Sequence, residues 1–85
     1  MAKVEVYSTR QCPYCVMAKK LLERKGVAYT EIRIDTDTSK REEMMKKSRQ
    51  RTVPQIFINN NAIGGYTDLV ALNQSKQLDS LLAQS

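Results

Sequence analysis

The stretch Val4-Glu5-Val6-Tyr7-Ser8-Thr9-Arg10-Gln11-Cys12-Pro13-Tyr14-Cys15 decides the fold. Residues 3–8 alternate and are rich in β-formers, which predicts a strand. Thr9-Arg10-Gln11 reads as a turn, and Cys12-Pro13 opens a helix running to about residue 25. Proline suits the first helical position, where its missing N–H would be unpaired anyway. Met17, Ala18, Leu21 and Leu22 form the expected buried stripe. Gly26 ends the helix as the residue that most easily turns left-handed.

Outward from this unit, Thr30, Ile32 and Ile34 alternate with Glu31 and Arg33, predicting a second strand within 27–35. A strand–helix–strand unit implies a right-handed crossover and parallel pairing. Ser39, with Glu42 three residues on, predicts a capping box for a helix over about 39–48, with Met44 and Met45 facing inward. Gln55-Ile56-Phe57-Ile58 is a short apolar strand. Asn59-Asn60-Asn61 is a hairpin turn, because Asn tolerates positive φ, and Ala62-Ile63-Gly64 returns as a fourth strand. Thr67-Asp68 starts a helix through about residue 72, and a last helix covers about 79–83. The order β-α-β-α-β-β-α-α fits an α/β fold: one mixed four-stranded sheet with helices on both faces. With 85 residues, the expectation is one domain over 1–85.

No apolar run approaches the roughly 20 residues of a membrane span. Met1-Ala2-Lys3 leads straight into Val4-Glu5-Val6, so no secretory leader and a cytoplasmic location are expected. Histidine is absent, which excludes imidazole bases and most zinc sites. Two cysteines cannot supply two Cys-x-x-Cys pairs. The net charge of +5 is uneven. Residues 40–51 hold six basic side chains (Lys40, Arg41, Lys46, Lys47, Arg49, Arg51) and two acidic ones (Glu42, Glu43), so +4 of the +5 lies there. A local basic field favours an anionic partner. The run has no aromatic residue for base stacking, so no nucleic-acid partner is expected. It also reads as a solvated helix face.

The chemistry centres on Cys12-Pro13-Tyr14-Cys15. A Cys-x-x-Cys after a strand and at a helix start reads as a thioredoxin-like redox motif. The helix end offers unpaired N–H groups and a partial positive charge. A Cys12 thiolate at the N-cap would accept those bonds, so its pKa is expected below the free value of about 8.5. Cys15 lies nearly one turn further in, close enough for a disulfide. Two core cysteines or half a metal site are the bland alternatives, and neither explains Pro13 or the helix-start placement. By spacing alone, Pro54 fits an edge-strand start as well as a site loop. Gly64-Gly65 could serve any tight turn, although a helix N-terminus after it can hold a carboxylate.

Taken together, Cys12-Pro13-Tyr14-Cys15, Thr52-Val53-Pro54 and Gly64-Gly65-Tyr66-Thr67-Asp68 resemble the three signatures of the dithiol glutaredoxins, in order and spacing. The chain is most similar to the short bacterial type called glutaredoxin 3. The resemblance implies a thioredoxin fold with strand order 2-1-3-4. It implies a glutathione-dependent thiol–disulfide oxidoreductase acting on disulfide-containing or glutathionylated proteins. Glutathione is then reductant and co-substrate, with no tightly bound cofactor, no metal and a monomeric chain. It further implies that Cys12 attacks and Cys15 resolves. Pro54 is cis, and Val53 pairs its backbone with glutathione by strand addition. Thr52 belongs to the same loop. Tyr66, Thr67 and Asp68 hold the γ-glutamyl end, Tyr14 lines the groove, and Arg41 and Arg51 meet the glycyl carboxylate. Two positions depart from the family: Thr9 replaces the usual Lys, with Arg10 beside it, and Arg49 stands where Gly is frequent, which predicts a reshaped helix end.

Three other functions compete. A thioredoxin-like electron donor usually has Trp before Cys-Gly-Pro-Cys, whereas this chain has no Trp and has Gln11. A glutathione-ligated iron–sulfur module usually has Gly or Ser in place of Pro13. Nucleic-acid binding by residues 40–51 would show as salt-dependent retention.

Overall fold

Strands become central when both faces of the pleat can be covered, and two segments here carry enough apolar residues on each face for that. In the computed structural model, which describes residues 2–83, these are β1 (Val4–Ser8) and β3 (Gln55–Ile58). Every residue of β3, and all of β1 except Glu5, is buried. The flanking strands β2 (Thr30–Arg33) and β4 (Asn61–Gly64) are exposed or half-buried, as edges are. The order is β2-β1-β3-β4. β1 runs parallel to β2, with Tyr7 opposite Ile32, and antiparallel to β3, with Tyr7 opposite Gln55. The β3–β4 hairpin turns on Asn59 and Asn60, at φ 53° and 69°. Both lie in the left-handed region that asparagine tolerates.

The period of two in β1 and β3 sorts the core into two layers. Val4, Val6, Ile56 and Ile58 face one way and pack with Ala18, Leu21, Leu22, Leu69 and Leu78. Those residues come from α1 (Pro13–Arg24), α3 (Tyr66–Gln74) and α4 (Gln77–Ala83). Tyr7 and Phe57 face the other way and pack with Ile34 and with Met44 of α2 (Thr38–Ser48). Their rings meet edge to face at 5.4 Å. Lys47 of α2 lies over both rings, with its Nζ 4.9 Å from the Phe57 centroid. Burial, then the carboxylates of Glu43 and Glu5, push the Tyr7 hydroxyl up to about 12.

The element order, sheet order and parallel crossover agree with the sequence reading. Four local expectations are corrected. Met17 is exposed rather than buried, because the α1 stripe runs through Cys15, Ala18, Leu21 and Leu22. Ser39 does not cap α2. Asp37 does, accepting from the backbone N–H of Ser39 (3.0 Å) and Lys40 (3.4 Å), while the Ser39 hydroxyl donates to the same carboxylate. A carboxylate is the stronger acceptor and takes the position from the hydroxyl. The second strand covers only four residues of the expected 27–35. The end of α2 is not reshaped: Arg49 itself takes the left-handed conformation, φ 60° and ψ 23°. Gly26 behaves as expected, at φ 71°, with Gly26 and Val27 donating back to Glu23 and Leu22 in a Schellman closure.

Candidate active site

The N-terminus of α1 emerges directly from β1, so the strand end and the helix start aim Cys12 at one rim of the sheet. Cys12 is the N-cap, in extended conformation, with Pro13 next. Its sulfur accepts the backbone N–H of Cys15 at 3.1 Å, as the sequence reading required of an N-cap. Cys12 and Cys15 are joined as a disulfide, with Cα atoms 5.1 Å apart. Cys15 is fully buried, whereas Cys12 retains a sliver of exposure. The turn before Cys12 is tied down by Asp35, which accepts the Arg10 N–H at 3.0 Å. The Arg33 guanidinium forks onto Asp35 and, with that N–H, holds its carboxyl down at about 2.

The second wall comes from the loop between α2 and β3. The Val53–Pro54 bond is cis. The Val53 carbonyl oxygen lies 3.7 Å from the Cys12 sulfur, although 41 residues separate them in the chain. Gln55 builds this loop, and the sequence reading missed it. Its buried amide nitrogen donates toward the Thr52 carbonyl (2.9 Å), the Thr52 hydroxyl (3.2 Å) and the Gln50 side-chain oxygen (3.0 Å). The available signal was an amide at the head of an otherwise apolar strand, since a buried amide must find partners.

The third wall is the start of α3. Gly65 is its N-cap, and its backbone N–H donates to the Asp68 carboxylate at 2.9 Å. Gly64 sits at φ 114°, and a side chain there would collide with that carboxylate. A Cβ on Gly65 would come 3.6 Å from the Pro54 carbonyl oxygen, so the second and third walls adjoin. Tyr14 and Tyr66 stack across the gap, with ring centroids 5.9 Å apart and planes 16° from parallel. The first turn of α3 leaves the N–H groups around Tyr66, Thr67 and Asp68 without intrahelical acceptors. Two helix starts and an extended backbone edge thus converge on Cys12. Such an arrangement can bind a carboxylate and an extended peptide beside a reactive sulfur.

The residues expected at the site divide into two groups. Cys12, Cys15, Tyr14, Thr52, Val53, Pro54, Tyr66 and Asp68 are linked by the contacts above, and Thr67 lies in the same helix turn. Arg51 is exposed and lines a groove beside the loop. Arg41 is exposed on α2, and none of the contacts described above includes it. Among the described residues, no three His, Cys, Asp or Glu side chains are grouped to hold a metal ion. Among the same residues no helix is long and apolar enough to cross a membrane.

A family model for glutaredoxin matches residues 4–63, which include the first two walls and end within the fourth strand, just before the third. The chain belongs to the glutaredoxin family. It is 54% identical over 82 residues to glutaredoxin 3 of Escherichia coli strain K12, covering 96% of this chain and 99% of that protein. The solution structure of glutaredoxin from Brucella melitensis superposes with a TM-score of 0.85 at 45% identity, over 96% of this chain and 89% of that one. The crystal structure of a buckwheat glutaredoxin–glutathione complex superposes with a TM-score of 0.88 at 28% identity, over 95% and 76%. The fold is therefore the thioredoxin fold of the glutaredoxins, and the chain is a glutathione-dependent thiol–disulfide oxidoreductase.

Proposed function

We propose the following division of labour within that activity. Cys12 is the nucleophile, because its sulfur is the one that meets the helix-end N–H and the remaining solvent opening. Its thiolate attacks one sulfur of a substrate disulfide. The substrate S–S bond breaks, one thiolate leaves and takes a proton, and Cys12 holds the other half as a mixed disulfide. Cys15 loses its proton and attacks the Cys12 sulfur. This expels the second substrate thiol and forms the Cys12–Cys15 disulfide present in the structure. One glutathione thiolate then attacks Cys12, freeing Cys15, and a second removes the first as glutathione disulfide. On a glutathionylated protein, Cys12 alone completes the cycle with glutathione.

In the same reading, Val53 pairs its backbone with glutathione, with Thr52 and Pro54 shaping the edge and Tyr14 lining the groove. The γ-glutamyl carboxylate meets the start of α3 at Tyr66, Thr67 and Asp68. Arg51 and Arg41 attract the glycyl carboxylate. The chain acts as a single-domain monomer in the cytoplasm, without a tightly bound cofactor, on disulfide-containing or glutathionylated proteins. The 3.7 Å approach of Val53 to Cys12 carries this reading, since it puts an extended backbone edge beside the reacting sulfur. The test is Cys12→Ser and Cys15→Ser, each assayed on a protein disulfide and on a glutathione mixed disulfide. Cys12→Ser loses both activities, and Cys15→Ser keeps the second while losing much of the first. Activity on the mixed disulfide surviving in Cys12→Ser reverses the roles.

A further inference from the structure

The charge of residues 40–51 is not absorbed by the fold. Lys40 pairs with Glu43 at 3.5 Å, and Lys47 sits over Tyr7 and Phe57. Arg41, Lys46, Arg49 and Arg51 have no ion-pair partner among the described residues; Arg10, Lys20, Arg24 and Lys76 have none either, but they are scattered along the chain, whereas these four fall within eleven residues. Three of these four cations, Lys46, Arg49 and Arg51, rim one groove of about 360 Å³. Met45 and Gln50 complete its lining, and Glu42 is the one carboxylate in it. A second observation singles out the same spot. Arg49 holds a left-handed backbone, which disfavours every side chain other than Gly and, less strongly, Asn or Asp. The Arg49 side chain returns no ion pair for that strain. The Arg49 backbone N–H closes α2 on the Met45 carbonyl at 2.8 Å, and Lys76 at φ 65° also turns left-handed, so what is particular to Arg49 is a cation held at the helix end on the rim of the groove.

The groove also lies at the right distance. An extended chain spans about 3.3–3.6 Å per residue, so Arg49 is at most about 14 Å from Val53, whose carbonyl adjoins Cys12. From these observations, and resting on the activity proposed above, we infer that the Lys46–Arg49–Arg51 groove docks an acidic segment of the protein substrate. That segment lies within roughly five residues of the reacting cysteine, the number an extended peptide needs to cross this distance. The thioether of Met45 offers an apolar floor for the stems of such side chains. A nucleic acid fits less well, because the groove has no aromatic residue on which a base could stack.

The test uses two synthetic peptides, each closed by one disulfide. One carries three Asp or Glu residues three to five positions from a cysteine, and the other carries Lys there. Copies with Ser in place of both cysteines measure binding without chemistry. At low salt, the wild-type chain reduces the acidic peptide with a kcat/KM about tenfold above the basic one, and the preference shrinks at high salt. Lys46→Glu/Arg49→Glu abolishes it, while turnover of a small glutathione mixed disulfide changes less than about twofold. Lys46→Gln/Arg49→Gly, which relaxes the helix end, also lowers the preference. Equal rates on the two peptides, or a preference that survives the charge reversal, overturns the inference. So does a parallel loss on the small mixed disulfide, which assigns the cations to glutathione, or tighter binding of single-stranded DNA than of the acidic peptide. If the wild type turns over no glutathione mixed disulfide, the parent reading fails, and the Ser-substituted peptides still report docking.

Discussion

The two faces of the central sheet are built to different standards. Toward α1, α3 and α4, β1 and β3 present Val4, Val6, Ile56 and Ile58, an aliphatic layer ended by the buried Ser8, whose hydroxyl donates to Glu31. Toward α2, the same strands present Glu5, Tyr7, Gln55 and Phe57, by the same period of two. One helix covers that face, with Met44 as its sole fully buried side chain among the described residues. α1 closes on a glycine suited to its left-handed φ, and α2 closes on an arginine that is not. The loop that meets Cys12 hangs from the α2 side. The first face holds the fold together, and the second gives up packing to position a loop and display charge. Cys12 stands at the N-terminal end of the better-packed helix, so this cap is held by the stable layer.

The largest break in this comparison comes from the cores. Leu22→Ala removes a fully buried side chain from the aliphatic layer and is expected to cost about 3–5 kcal/mol. Met44→Ala on the other face is expected to cost about 2–3 kcal/mol, since the smaller layer collapses more readily around an unbranched side chain. Urea unfolding of both variants checks this, and a reversed order removes the asymmetry. Gln55→Leu comes next. It leaves the Thr52 carbonyl without its donor and is expected to cost about 1–3 kcal/mol. Because the loop loosens, KM for glutathione should rise more than kcat falls. A stability loss with unchanged kinetics makes Gln55 merely structural.

The helix ends give a smaller and opposite pair. No atom lies within 4 Å of a Cβ placed on Gly26, so Gly26→Ala isolates the backbone term and should cost about 1 kcal/mol. Arg49→Gly should stabilise by a few tenths to about 1 kcal/mol. Denaturation midpoints moving in the same direction would show that the two ends are not equivalent. The smallest effect is in pH. Lys19, then Ser8, holds the Glu31 carboxyl below its ordinary value, at the edge of the α1 face. A depressed folded-state pKa adds stability that is complete above the unfolded value of about 4.3 and is lost as pH falls through the folded value. Acid-induced loss of stability below about pH 4 should therefore be slightly shallower in Glu31→Gln. An identical profile assigns that slope to the other depressed carboxylates, Asp35 beside Arg33 and Asp37 beside Ser39.

Much of the fold is written in local rules. Val4-Glu5-Val6-Tyr7-Ser8 prefers extended backbone, Pro13 fits a helix start, Asn59-Asn60 and Gly26 accept positive φ, and the element order follows. The two cysteines and the helix end between them were legible for the same reason, because a cap and its N–H groups lie within four residues of each other. What the tertiary structure decided is whatever needed a partner distant in sequence, or a contest between near neighbours. The contest for the α2 cap went to Asp37 over Ser39 by acceptor strength. Met17 was left in solvent once the direction of the sheet fixed which arc of α1 is buried. The grip of Gln55 on Thr52 and the approach of Val53 to Cys12 exist only after β3 has paired with β1. Dihedral preferences and short-range hydrogen bonds act along the chain and can be read there. Contacts that close long loops depend on every intervening element, and no stretch of sequence states them.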